Sequence, residues 1–76
     1  MKVYLEVGSF LKRFTSEQTN LEINISGDKT AAEVVLSAGV PEEEIGFITV
    51  NGQKVDSDYV LKENDIIRVY PIIVGG

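Results

Sequence analysis

At 76 residues the chain lies near the lower limit for a self-sufficient core, because a domain of this size buries only roughly 60% of its unfolded surface. Twelve acidic residues against seven basic ones leave a formal charge of −5, which argues against nucleic acid and anionic membranes as partners, since both require a basic face. Cysteine and histidine are absent. Disulfides, iron–sulfur clusters and ordinary zinc sites are therefore excluded, together with the commonest general base and the most reactive nucleophile. The apolar fraction of 43% is that of a globular chain. Residues 1–25 alternate rather than form a signal-peptide run, and no apolar stretch approaches a membrane span. The expectation is one cytoplasmic domain over residues 1–76, monomeric when free, with a basic protein surface as the partner that suits its charge.

Residues 2–8 read as a strand, with Val3, Leu5 and Val7 on one face and Tyr4 and Glu6 on the other. Residues 20–26 repeat the pattern with Leu21, Ile23 and Ile25. The link between them is long for a hairpin. Phe10, Leu11 and Phe14 stand at helical spacing in it, which predicts an irregular or one-turn helical segment that tucks all three under one end of the core. A helix over 30–38 follows. Thr30 and Glu33 have capping-box spacing, with Asp28 as a competing cap. Ala31, Val34, Val35 and Ala38 line one face, Leu36 flanks it, and Gly39 suits the left-handed position past its end.

Pro41 opens an acidic helical turn through Glu42, Glu43 and Glu44. Residues 47–50 are a third strand with Ile48 and Val50 inward. Asn51-Gly52 is a strong hairpin-turn dipeptide, and Gln53–Val55 returns as a fourth strand. Tyr59, Val60 and Leu61 are expected over the sheet edge. Residues 66–70 form a fifth strand, with Arg68, Ile66 and Tyr70 outward and Ile67 and Val69 inward. The predicted core is Val3, Leu5, Val7, Leu21, Ile23, Ile25, Val34, Val35, Ile48, Val50, Ile67 and Val69. The predicted class is α+β, a mixed five-stranded sheet packed on one main helix.

Few features carry chemistry. The Glu42–Glu44 run reads as a solvated helix start, and Asp56 and Asp58 as turn residues, because no EF-hand spacing is present. No metal site is expected. A terminal Gly75-Gly76 fits either a plain tail or a chemical handle. Beyond these residues, Val50-Asn51-Gly52, Val55, Leu61, the polar turn ending in Asp65, Val69-Tyr70-Pro71 and Gly75-Gly76 together resemble the ThiS/MoaD family of ubiquitin-like sulfur carriers. That family comprises the thiamine sulfur carrier and the small subunit of molybdopterin synthase, and Pro71 leans toward the latter branch. Where the family carries glycine-aspartate before the last strand, this chain has Asn64-Asp65; asparagine also tolerates the left-handed conformation.

The resemblance implies a β-grasp fold and a non-enzymatic carrier that binds no cofactor. A ubiquitin-activating-type partner would use ATP to adenylate the Gly76 carboxylate. A sulfur donor such as a cysteine desulfurase or rhodanese would convert it to a thiocarboxylate. A synthase large subunit or thiazole synthase would receive the sulfur, for a molybdopterin-type cofactor or for thiamine. Gly75 and Gly76 would pass a narrow channel because they lack Cβ, with Ile72, Ile73 and Val74 anchoring the thread. On this fold Tyr4, Phe47, Thr49, Arg68 and Tyr70 share the sheet face away from the helix and, with Pro71, form the expected partner-binding set. Two further readings stand beside the carrier: a protein modifier conjugated through Gly76 to lysines, and a non-covalent β-grasp interaction domain.

Overall fold

Alternation of buried and exposed side chains builds the sheet. In the computed structural model, which describes residues 1–73, the chain forms β1 (Lys2–Val7), a 3₁₀ turn (Lys12–Thr15), β2 (Asn20–Asn24) and α1 (Ala31–Ser37). A second 3₁₀ turn (Glu42–Glu44), β3 (Ile45–Val50), β4 (Gln53–Val55) and β5 (Ile66–Pro71) follow. The strands lie in the order β2-β1-β5-β3-β4. β5 runs parallel to β1 and antiparallel to β3, and both hairpins, β1–β2 and β3–β4, are antiparallel. The last strand is thus at the centre, with α1 over one face.

Val3 and Leu5 of β1, Ile67 and Val69 of β5, and Ile48 and Val50 of β3 meet Ala31, Val34 and Val35 of α1 in one core. Full burial of such a side chain contributes roughly 1.5–3 kcal/mol. Leu11, Val40 and Leu61 join them from the loops. Three residues expected in the core, Leu21, Ile23 and Ile25, are only half-buried. β2 is an edge strand, and a seven-residue helix cannot cover five strands.

Loop geometry accounts for the other differences. Side chains three apart share a side of a 3₁₀ turn, so Leu11 and Phe14 point inward while Phe10 is 74% exposed rather than tucked under the core. β3 begins at Ile45, two residues before the alternation shows it, because a bulge between Ile45 and Phe47 breaks the period. Pro41 is the extended cap of the second 3₁₀ turn, not its first residue.

The ends of α1 follow from side-chain chemistry. The Thr30 hydroxyl accepts from Glu33 N–H at 3.2 Å, and the Glu33 carboxylate accepts from Thr30 N–H at 3.1 Å. This reciprocal box leaves Asp28 outside the cap. At the other end Gly39 N–H donates to Leu36 and Val40 N–H to Val35, the Schellman pattern. Gly39 has φ +114°, and a Cβ there would fall on the Phe14 carbonyl oxygen. The same motif turns Val40 into the core, a contact that the Gly39 signal carries with it.

A polar hub fixes the start of β5. The buried Asp65 carboxylate accepts from the Asn51 side-chain amide at 2.9 Å and from Lys62 N–H at 2.8 Å. The Asn51 side-chain oxygen accepts from Ile66 N–H at 2.9 Å, and Asn51 N–H donates back to Ile66 O at 2.8 Å. Tyr4 N–H donates to Asp65 O, and Asn64 N–H to Lys2 O. Asn64 takes φ +69° and Asn51 φ +53°, as expected for asparagine at both turns.

Two outcomes follow. Asp65→Ala strands the Lys62 N–H and the Asn51 amide, and urea denaturation should show a loss of about 1–3 kcal/mol or more. Glu33 has its pKa held below 4.5, chiefly by the Thr30 backbone N–H and then by the Thr30 hydroxyl. Its charge therefore favours the folded state above pH 4.5, and that advantage is lost as pH falls through the lowered folded value. Glu33→Gln retains a cap partner but not the charge, so the stability gap between wild type and variant should narrow from pH 7 to pH 3.

Candidate functional site

Strand parity brings the expected binding residues together on the face opposite α1. Tyr4 and Glu6 come from β1, Ile66, Arg68 and Tyr70 from β5, Phe47 and Thr49 from β3, and Lys54 from β4. The register sets Phe47 beside Tyr70, and Arg68 between Glu6 and Thr49. The Phe47 and Tyr70 rings stack with centroids 4.5 Å apart and planes inclined by 12°. Lys54 Nζ lies 5.4 Å from the Phe47 ring centroid, within cation–π range. Phe47, Tyr70 and Ile66 remain 37–40% exposed, so this is an aromatic and aliphatic patch open to solvent.

Arg68 and Glu6 form an ion pair on the face. Arg68 Nε donates to Glu6 Oε1 at 2.7 Å. That hydrogen bond, and then the charge of Glu6, raise the Arg68 pKa above its ordinary value, so the guanidinium is cationic at every relevant pH. Thr49 is on the expected face but is buried, not presented to a partner, and its hydroxyl lacks a hydrogen-bond partner among the described residues. It lies between Lys54 and Arg68 across the two ladders, and long stems of this kind cover a short side chain between them.

Glu6, Ile66 and Lys54 also lie on this face, outside the expected partner-binding set. Glu6 shares the parity of Tyr4, so its side was readable; its pairing with Arg68 depends on the parallel β1–β5 register, which alternation does not encode.

The face continues to the base of the tail. A groove of about 280 Å³ lined by Glu6, Gly8, Asn20, Arg68, Tyr70 and Pro71 runs along the ends of β1 and β5. Pro71 is half-buried and closes β5. Ile72 is 52% and Ile73 89% exposed, so both leave the fold. Val74, Gly75 and Gly76 lie outside the described residues. Among the described residues no three His, Cys, Asp or Glu side chains converge, and no helix is long and apolar enough to cross a membrane.

The profile of the Mut7-C ubiquitin family matches residues 1–74. The chain belongs to the Mut7-C ubiquitin family. Solved structures agree on the fold of this Mut7-C ubiquitin chain. A putative molybdopterin converting factor subunit 1 from Pyrococcus furiosus superposes with TM-score 0.78 at 21% identity, covering 96% of this chain and 99% of that one. SAMP1 from Haloferax volcanii gives 0.75 at 12% identity, with both chains fully covered. The BexX/CysO complex from Amycolatopsis orientalis gives 0.65 at 23% identity, covering 97% and 99%. No curated protein sequence matches the chain. The ubiquitin-like β-grasp fold implied by the resemblance to the ThiS/MoaD family is therefore the fold observed.

Proposed function

We propose that this chain is a ubiquitin-like sulfur carrier whose working group is the carboxylate of Gly76. The observation that carries the reading is membership of a ubiquitin family on a β-grasp body shared with a putative molybdopterin converting factor subunit. The chain contains no cysteine or histidine, so its side chains offer little catalysis and the main-chain terminus is the natural reacting group.

An adenylating partner would supply ATP. A carboxylate oxygen of Gly76 attacks the α-phosphorus, the bond to the β-phosphate breaks, and pyrophosphate leaves. A persulfide sulfur then attacks the acyl carbon and expels AMP. A thiol cleaves the resulting S–S bond and leaves the thiocarboxylate, whose sulfur is the better nucleophile for a downstream acceptor such as a pterin or thiazole precursor. The Phe47–Tyr70 patch, next to the exit of the tail, is the proposed docking surface for these partners, with Tyr4, Arg68 and Pro71 around it.

A second reading has one observation in its favour. A small archaeal modifier protein shares the fold across 95% of this chain. Adenylation begins both routes. Isopeptide-linked conjugates in cells would mark the modifier, and a small-molecule sulfur acceptor the carrier.

ATP–pyrophosphate exchange with an adenylating enzyme tests the reacting group. Gly76→Val should slow exchange by about 100-fold, since a misplacement of about 1 Å at a reacting centre has that effect. A chain carrying one extra alanine should not exchange at all. If that chain exchanges like wild type, with intact mass proving it uncleaved, the terminus is not the working group. The docking face is tested by calorimetry with the same enzyme. Phe47→Ala and Tyr70→Ala should each weaken binding by over about 1 kcal/mol, more than they destabilise the fold.

A further inference from the structure

We propose that Gly46 sets the direction in which the tail leaves the fold, and so acts as a positioning residue for chemistry at Gly76. The functional half of this inference rests on the carrier reading above. Gly46 occupies the bulge in β3. Ile45 pairs with Pro71 and Phe47 with Tyr70, which leaves Gly46 without a cross-strand partner. Unlike Gly39 and Gly52, it does not have a positive φ, so no left-handed conformation calls for glycine at this position. Space, not conformation, demands glycine here.

A Cβ on Gly46 would fall on the Pro71 carbonyl oxygen, 2.8 Å from the Pro71 carbonyl carbon and 3.0 Å from the Tyr70 carbonyl oxygen. All three are backbone atoms, so no rotamer change in a neighbour relieves the contact. The β3 bulge and the end of β5 would have to separate by about 1 Å to restore ordinary van der Waals distance.

That movement cannot spread along the strand. β1 holds β5 from Ile66 to Val69, and the pairing stops there. Tyr70 and Pro71 are free of β1 and pair with β3 alone, and Pro71 has no N–H to donate to a further strand. The displacement therefore concentrates at the base of the tail. Proline fixes its own φ, so moving Pro71 re-aims everything after it. The bulge at Gly46, exposed beside the Phe47–Tyr70 stack, thus couples the proposed docking face to the tail.

The test compares Gly46→Ala with Gly52→Ala. Gly52 has φ +86° with nothing within 4 Å of a built Cβ, so its substitution strains the hairpin turn but does not touch β5. Using the adenylating enzyme that accepts the wild-type chain, Gly46→Ala should lower kcat for ATP–pyrophosphate exchange by about 10- to 100-fold. KM for the carrier should stay within about threefold, since the docking face remains. Gly52→Ala should lose stability without changing kcat. Dipolar couplings of the Ile72 and Ile73 amides should change in Gly46→Ala, while those of β1 and β2 do not.

Wild-type kcat in Gly46→Ala, or an equal loss in Gly52→Ala, overturns the proposal. If Gly46→Ala does not fold, Pro71→Gly frees φ at the tail base without crowding Gly46 and should also lower kcat; unchanged exchange then overturns it. Exchange that survives the C-terminal alanine extension refutes the carrier reading instead. In that case the structural claim is decided by the Ile72 and Ile73 couplings, and identical couplings in wild type and variant overturn it.

Discussion

The Asp65 carboxylate governs the arrangement of the sheet. Buried at the head of β5, it joins the Asn51 hairpin turn to the Lys62–Asp65 turn, while its own backbone carbonyl takes Tyr4 N–H from β1. One residue thereby ties together three strands that are distant in sequence. A one-residue slip of any of them would carry its apolar set to the wrong face. A buried carboxylate is tolerated only when it is hydrogen-bonded, and the same bonds that satisfy it specify the register. Ile67 then falls opposite Leu5 and Val50, and Val69 opposite Val7 and Ile48.

Everything on the outer face inherits that register. Phe47 stacks on Tyr70 and Glu6 reaches Arg68 because β5 begins where Asp65 holds it. The inner face is closed by α1 and three loop residues, whereas the outer face keeps its aromatic patch exposed. The buried core and the proposed docking patch thus lie on opposite sides of the same strands. Phe47 and Tyr70 stay partly exposed outside the core, whereas Ile67 and Val69 are buried in it.

The tail end is organised differently. There the strands part: β1 releases β5 after Val69, and a bulge in β3 meets Pro71. Hydrogen-bonded regularity gives way to steric control, through a glycine that admits a backbone carbonyl and a proline that fixes an angle. This is where the face proposed for docking meets the base of the tail. The polar hub lies at the opposite end of β5, so the strand is pinned at its head by hydrogen bonds and steered at its foot by packing.

Local chemistry was enough to specify much of this from the sequence. The alternation of β1 and β5, the Thr30–Glu33 cap and the Asn51-Gly52 turn depend on neighbours a few residues apart, and all are observed as read. The outward parity of Tyr4, Phe47, Arg68 and Tyr70 is of the same kind. Tertiary structure decided what depends on distant strands. The half-burial of Leu21, Ile23 and Ile25 comes from the edge position of β2, and the enclosure of Thr49 from its placement between Lys54 and Arg68. Asn51 reads as a turn residue alone until Asp65 is beside it. Gly46 reads as one more glycine until the Pro71 carbonyl occupies the space where its side chain would be, because a close approach between backbones leaves no period, charge or motif in the chain.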